Sequence, residues 1–185
     1  MILGQKSPKT AKNREKYKDS MEKSGNNFFM KKFLSDEKKQ IVVVCFGTPN
    51  VSGDALGPKI GTLLQSFNLP CFVYGTMTRP VTATNMAEYI NLVERIHSDA
   101  TVLSVDASLG TRERIGQISI RADGVCPAGV KGKKRRFGQV GVLGVVGENN
   151  HNLMKELLTI SDDYITKMAH KVAILIKQAI FHALA

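Results

Sequence analysis

Several features are missing from this 185-residue chain, and each absence closes off a class of protein. The three cysteines, Cys45, Cys71 and Cys126, are odd in number and show no C-x-x-C spacing. That argues against a disulfide scaffold or a thiolate metal knuckle and fits a reducing cytosol. Apolar runs such as Ile41–Phe46 and Val172–Ile176 fall far short of the roughly 20 residues that span a bilayer. Met1–Gly4 leads into no apolar signal core, so neither a membrane segment nor a secretory leader is expected. Gly47, Gly53 and Gly57 do not make G-x-G-x-x-G, and where a P-loop needs Gly-Lys-Ser or Gly-Lys-Thr the chain reads Gly53-Asp54-Ala55. A carboxylate at that point repels phosphate. The basic run Lys131–Arg136 contains no aromatic residue, which argues against a stacking platform for single-stranded nucleic acid.

The length is enough for one domain with a real core. The net charge of +10 is uneven: residues 1–39 hold eleven basic and five acidic side chains and so carry six of the ten. Gln5–Ser24 is almost entirely charged or small and polar, too poor in apolar surface to offset the entropy of ordering it. The expected organisation is a basic, partly disordered extension over 1–39 and a domain over 40–185. The extension reads either as an arm for nucleic acid or another anionic surface, or as solvated chain with incidental charge.

From Gln40 onward, strand-like apolar runs alternate with amphipathic stretches, the pattern of an α/β sandwich with a largely parallel sheet. Strands are expected over Ile41–Phe46, Cys71–Tyr74, Thr101–Val105, Ile115–Arg121 and Val140–Val146. Pro58 suits the first turn of a helix through Phe67, with Ile60, Leu63, Leu64 and Phe67 on one face. Thr84 or Asn85 is placed to cap a second helix with Met86, Ile90, Val93 and Ile96 or His97 facing inward. Ser161, Asp162 and Asp163 signal the start of a last helix, in which Ile165, Met168, Ala169, Val172, Ile176 and Ile180 repeat at three and four.

Two carboxylates stand out against this frame. Asp54 lies in the Gly-rich turn after the first strand, where it reads either as the cap of the following helix or as a site residue. Asp106 follows the run T-V-L-S-V, where it reads either as a turn former or as a second carboxylate at a strand's carboxyl end. Open α/β sheets bind ligands in the crevice outside those ends, so parallel neighbouring strands would bring the two Asp residues together.

At these residues the chain resembles a known family. G-T-P-N-V-S-G-D-A-L-G-P, V-D-A-S-L-G and I-S-I-R-A-D-G-V-C-P-A-G-V-K-G-K-K-R are similar to the spore protease YyaC family of endospore-forming bacteria and to its larger relative, the germination protease. The run from Tyr74 to Glu88, with Thr76, Pro80, Asn85 and Glu88, is closer to the YyaC branch, and the resemblance covers Ile41–Ala185. It implies a three-layer, phosphorylase/hydrolase-like α/β sandwich and an endopeptidase of aspartic type with no cofactor. Asp54 and Asp106 match the catalytic pair, and Thr76, Asn85, Gly129 and Lys133 match the substrate-binding surroundings. Substrates would be proteins or peptides such as small acid-soluble spore proteins, in the cytoplasm of a sporulating cell or spore.

Two other readings stay open: a non-catalytic sporulation protein binding peptide or nucleic acid, and a metal-dependent endopeptidase of the hydrogenase-maturation type. The second expects a His near Pro127–Lys134, where there is none, and His151 lies beyond the next strand.

The chemistry suits a carboxyl pair. Two neighbouring carboxyl groups do not both ionise cheaply, so one proton is shared and the pair supplies a base and an acid together. Other reactive side chains lack context. Cys45 and Cys71 fall in strands, Cys126 has no partner His, Ser108 has no G-x-S-x-G, and His151, His170 and His182 have no ligand spacing. Asn85 and Glu88 read equally as helix-start residues or as substrate contacts.

Overall fold

A computed structural model describes residues 40–127 and 136–184. The basic extension, Gly129 and Lys133 therefore lie outside the described residues. The elements in chain order are β1 (Ile41–Cys45), a 3-10 turn (Ser52–Ala55), α1 (Leu56–Ser66), β2 (Phe72–Tyr74), α2 (Met86–Ile96), β3 (Thr101–Gly110), a second 3-10 turn (Arg112–Arg114), β4 (Ile118–Arg121), β5 (Val140–Glu148), α3 (Leu153–Thr159) and α4 (Asp162–Leu184).

The five strands form one sheet in the order β2-β1-β3-β5-β4. All neighbours run parallel except β4, which is antiparallel to β5. Every residue of β1 is buried, as a central parallel strand covered on both faces requires. Side chains alternate along the strands. Val43, Cys45, Leu103 and Val105 join Leu56, Ile60 and Leu64 of α1 and the inner stripe of α4 in one core. Val42, Val44, Phe46 and Val102 join Val81 and the α2 residues Met86 and Val93 in another. Helices thus cover both faces, giving the expected three layers. Among the described residues, no helix is long and apolar enough to cross a membrane.

The last helix follows its sequence pattern closely: Ile165, Met168, Ala169, Val172, Ile176 and Ile180 are all buried. Of the two alternatives at the end of α2, His97 turns inward and Ile96 is exposed, with the His97 ring nitrogens 2.9 Å from the Tyr74 hydroxyl and 2.8 Å from Gln40 Oε1. Other elements depart from the pattern. The fourth strand begins at Ile118, after a 3-10 turn and Gly116 at φ +88. The short helix α3 was not foreseen, because none of its residues is buried and its apolar pattern is weak.

The largest departure is in β3. It does not stop at Val105 but continues to Gly110, paired with β5 throughout, with a register shift between Ser108 and Leu109. Asp106 therefore lies within a strand. Its neighbour β1 ends at Cys45, opposite Val105, so the sheet opens beside Asp106. The chain leaves β1 for β2 on one side and returns through α2 to β3 on the other. The carboxyl ends of β1 and β3 thus flank the point where the strand order reverses, the usual ligand crevice of an open α/β sheet.

Candidate active site

The turn after β1 is shaped by close backbone approach. Gly47 has φ +143, and a Cβ there would lie 2.0 Å from the Asp54 carbonyl oxygen. Only glycine lets the loop double back so tightly. The returning Asp54 side chain accepts a hydrogen bond from the Thr48 amide through Oδ2 at 2.6 Å. The helix-cap reading of Asp54 falls, since the N-cap position of α1 is Ala55 and no side chain caps it. Asp54 is held across the turn instead of being spent on the helix.

Asp106 is 8% exposed, and its Oδ1 accepts a hydrogen bond from the Ala107 amide at 2.9 Å. Burial pushes its carboxyl well above the ordinary carboxylate range, and the neighbouring charge of Asp54 pushes the same way. The Ala107 amide opposes both. The two carboxylates line one cavity of about 580 Å³. Asp106 is thus a buried carboxyl whose ionised form is disfavoured, lining the same cavity as Asp54.

The rest of the wall is two-sided. Phe46, Met86 and Leu143 contribute apolar surface on the α2 side of the sheet, and Leu153, Met154 and Leu157 of α3 do so at the rim. Arg121 and Arg136 bring positive charge. Arg136 is paired with Asp123 at 3.1 Å and donates to the Gly124 carbonyl. Arg121 Nε is buried with no hydrogen-bond partner among the described residues.

Arg121 and the α3 residues escaped the sequence reading. Arg121 sits in a strand read only for its apolar residues. α3 left one signal, Asn152, whose side chain accepts from the Lys155 amide as a helix cap does.

Thr76 and Asn85 are not on the cavity wall. Thr76 is buried and accepts from the Arg79 amide in a tight turn. The Asn85 carboxamide accepts from the Thr82 amide and donates to the Pro80 carbonyl, so it fastens the loop before α2 without capping the helix. Ser108 is on the wall with its hydroxyl directed to the Gly144 carbonyl.

Cys45 is fully buried, and burial pushes its thiol far above its usual range; Cys71 is pushed up to about 11 by the same cause. Neither is a thiolate nucleophile near neutral pH. Cys126 lines the cavity.

A metal of the maturation-endopeptidase kind does not fit the residues described. Among them no group of three or more His, Cys, Asp or Glu side chains is arranged to hold an ion. The internal segment 128–135 contains none of these residue types.

Known proteins share the fold of this chain, and a family model matches most of its length. The fold is that of a [NiFe] hydrogenase maturation protease, HycI from Thermococcus kodakarensis KOD1, at a TM-score of 0.50 and 16% identity over 82% of this chain and 97% of that one. A hydrogenase 2 maturation peptidase from Thaumarchaeota archaeon SCGC_AB-539-E09 aligns at a TM-score of 0.47 and 18% identity, over 76% of this chain and 97% of that one. Residues 14–175 match the family described as "Protein of unknown function (DUF1256)", and the chain belongs to that family. Over 110 residues it is 40% identical to the "Uncharacterized protein YyaC" of Bacillus subtilis (strain 168). The aligned part is 58% of this chain and 54% of YyaC, so the chain spans about half the length of that relative.

Proposed function

We propose that this chain is an endopeptidase in which Asp54 and Asp106 act as one catalytic pair. The observation that carries the reading is that both carboxyl groups line the cavity at the strand-order reversal, where burial and the charge of Asp54 both disfavour the ionised form of Asp106. In this reading the two carboxyl groups divide the work. Asp54 takes a proton from a water molecule as that water's oxygen bonds to the scissile carbonyl carbon. Asp106 gives its proton to the carbonyl oxygen, which becomes a hydroxyl. When the C–N bond breaks, the leaving amine takes the proton held by Asp54, and the hydroxyl proton returns to Asp106 as the carboxylic acid product forms. One water is consumed and the pair ends as it began.

Resemblance to the spore protease family supports a substrate among unfolded or small acid-soluble spore proteins and a role in sporulating cells. The apolar wall, together with two carboxyl groups that repel phosphate, supports a polypeptide rather than a phosphorylated ligand as occupant. The test is cleavage of small acid-soluble spore proteins and of an unfolded test protein by wild type, Asp54→Asn and Asp106→Asn. Each substitution is expected to lower the rate by about a thousandfold or more while the melting transition survives, because a carboxamide keeps shape and hydrogen bonding but carries no transferable proton. Parallel assays with a chelator should leave the wild-type rate unchanged. Equal cleavage by wild type and both variants would refute the pair, and a rate lost to chelation and restored by a divalent ion would favour a metal-dependent endopeptidase.

A further inference from the structure

The cavity has a feature that its side chains alone do not explain. Four consecutive residues of β3, Asp106, Ala107, Ser108 and Leu109, all line it. Side chains of a strand alternate between faces, so a cavity touched by all four wraps around the strand's edge. That edge is the one facing away from β5. Along its first half it is covered by β1, where Ile41–Cys45 pair with Thr101–Val105 and the Phe46 amide donates to the Val105 carbonyl. Beyond Val105 the β1 chain departs at Gly47, and no strand replaces it among the described residues.

The ladder shows which backbone groups are left. In parallel pairing, alternate residues direct their amide and carbonyl to the same side. Thr101 and Val105 bond toward β1, whereas Val102 and Gly110 bond toward the β5 side. Ala107 and Leu109 therefore direct their groups to the open edge. The Ala107 amide is taken by Asp106 Oδ1. By the same alternation the Ala107 carbonyl and the amide and carbonyl of Leu109 point to the side of β3 where β1 pairing has ended and no other strand of the sheet lies among the described residues. The same bond draws the Asp106 carboxyl round to the open edge.

We propose that an extended peptide pairs with the free edge of β3 from Asp106 to Gly110, adding a strand where β1 has left the sheet and presenting its backbone to Asp54 and Asp106. This rests on the peptidase reading and specifies how that site holds its substrate. The edge offers ~13 Å of pairing at ~3.3 Å per residue, room for about four or five substrate residues. Affinity then comes from main-chain hydrogen bonds, and selectivity from alternate side chains, one set toward Met86 and Leu143 and the other toward Leu157 of α3.

The experiment uses full-length Asp54→Asn protein, so that binding is not followed by cleavage, and fluorescent ten-residue peptides tiled across unfolded β-casein. The tightest binder is N-methylated at each backbone nitrogen in turn, and amide hydrogen exchange of the protein is followed with and without it. Methylation is expected to weaken binding by about tenfold at every second position across the paired stretch and by less than about twofold at the positions between. Exchange of the Leu109 amide should slow on binding. Binding without the alternation, an unchanged Leu109 amide, or no binding by any peptide would overturn the edge-pairing proposal. Peptides that pair in this way and are not cleaved by wild type would overturn the peptidase reading while leaving edge pairing intact. Peptides that wild type cleaves but that show no alternation would do the reverse.

Discussion

Asp106 is a carboxyl group that folding places where its charged form is disfavoured, and that has a consequence for stability as well as for chemistry. Its folded-state pKa lies above its unfolded one because burial and Asp54 both oppose ionisation. Below the ordinary carboxylate range, both states hold the proton and no penalty arises. As pH rises through that range, the unfolded chain releases its proton while the folded one keeps it, so stability falls until the folded-state pKa is passed. Asp106→Asn removes the titrating group and keeps an oxygen for the Ala107 amide. The variant should therefore match wild type at low pH and melt higher near neutrality, by about 2–4 °C for each ~1 kcal/mol recovered. Thermal melts of both proteins across pH check this. A variant that is less stable than wild type at neutral pH would mean that Asp106 is a structural hydrogen-bond partner and not a strained acid.

At the scale of elements, the site depends on how closely α1 approaches the end of β1. A Cβ on Gly57 would sit 2.0 Å from the Phe46 carbonyl oxygen. Gly57→Ala must then push the helix away from the strand, with an expected cost of about 1–3 kcal/mol, read as a lower denaturation midpoint and a loss of cleavage as Asp54 shifts with the helix. A variant as stable and active as wild type would show that this approach does not position the site. The same elements show how far the sequence could be read. β1 and α4 were legible because burial on both faces leaves an unbroken apolar run and packing on one face leaves a helical stripe. The length of β3 was not, because Asp106 looks locally like a strand terminator, and only the distant β5 reveals that pairing continues to Gly110. Thr76 and Asn85 are matched to substrate contacts by the resemblance alone, whereas in the structure each side chain accepts a backbone amide within a turn. α3 has no buried residue, so no stripe announced it.

At the scale of the whole molecule, the topology does what neither residue nor element does alone. Asp54 and Asp106 are far apart in sequence, and each has an ordinary local explanation. They share a cavity because the chain turns one way from β1 and the other way into β3, which opens the sheet between them. In the proposed mechanism they then act as one unit. The most direct measurement is a double-mutant cycle on the cleavage rate with wild type, Asp54→Asn, Asp106→Asn and the double variant. The double variant is expected to be no slower than the slower single variant, since losing either carboxyl already removes the proton exchange between them. Two independent losses that multiply in the double variant, or single variants that cleave as well as wild type, would contradict it.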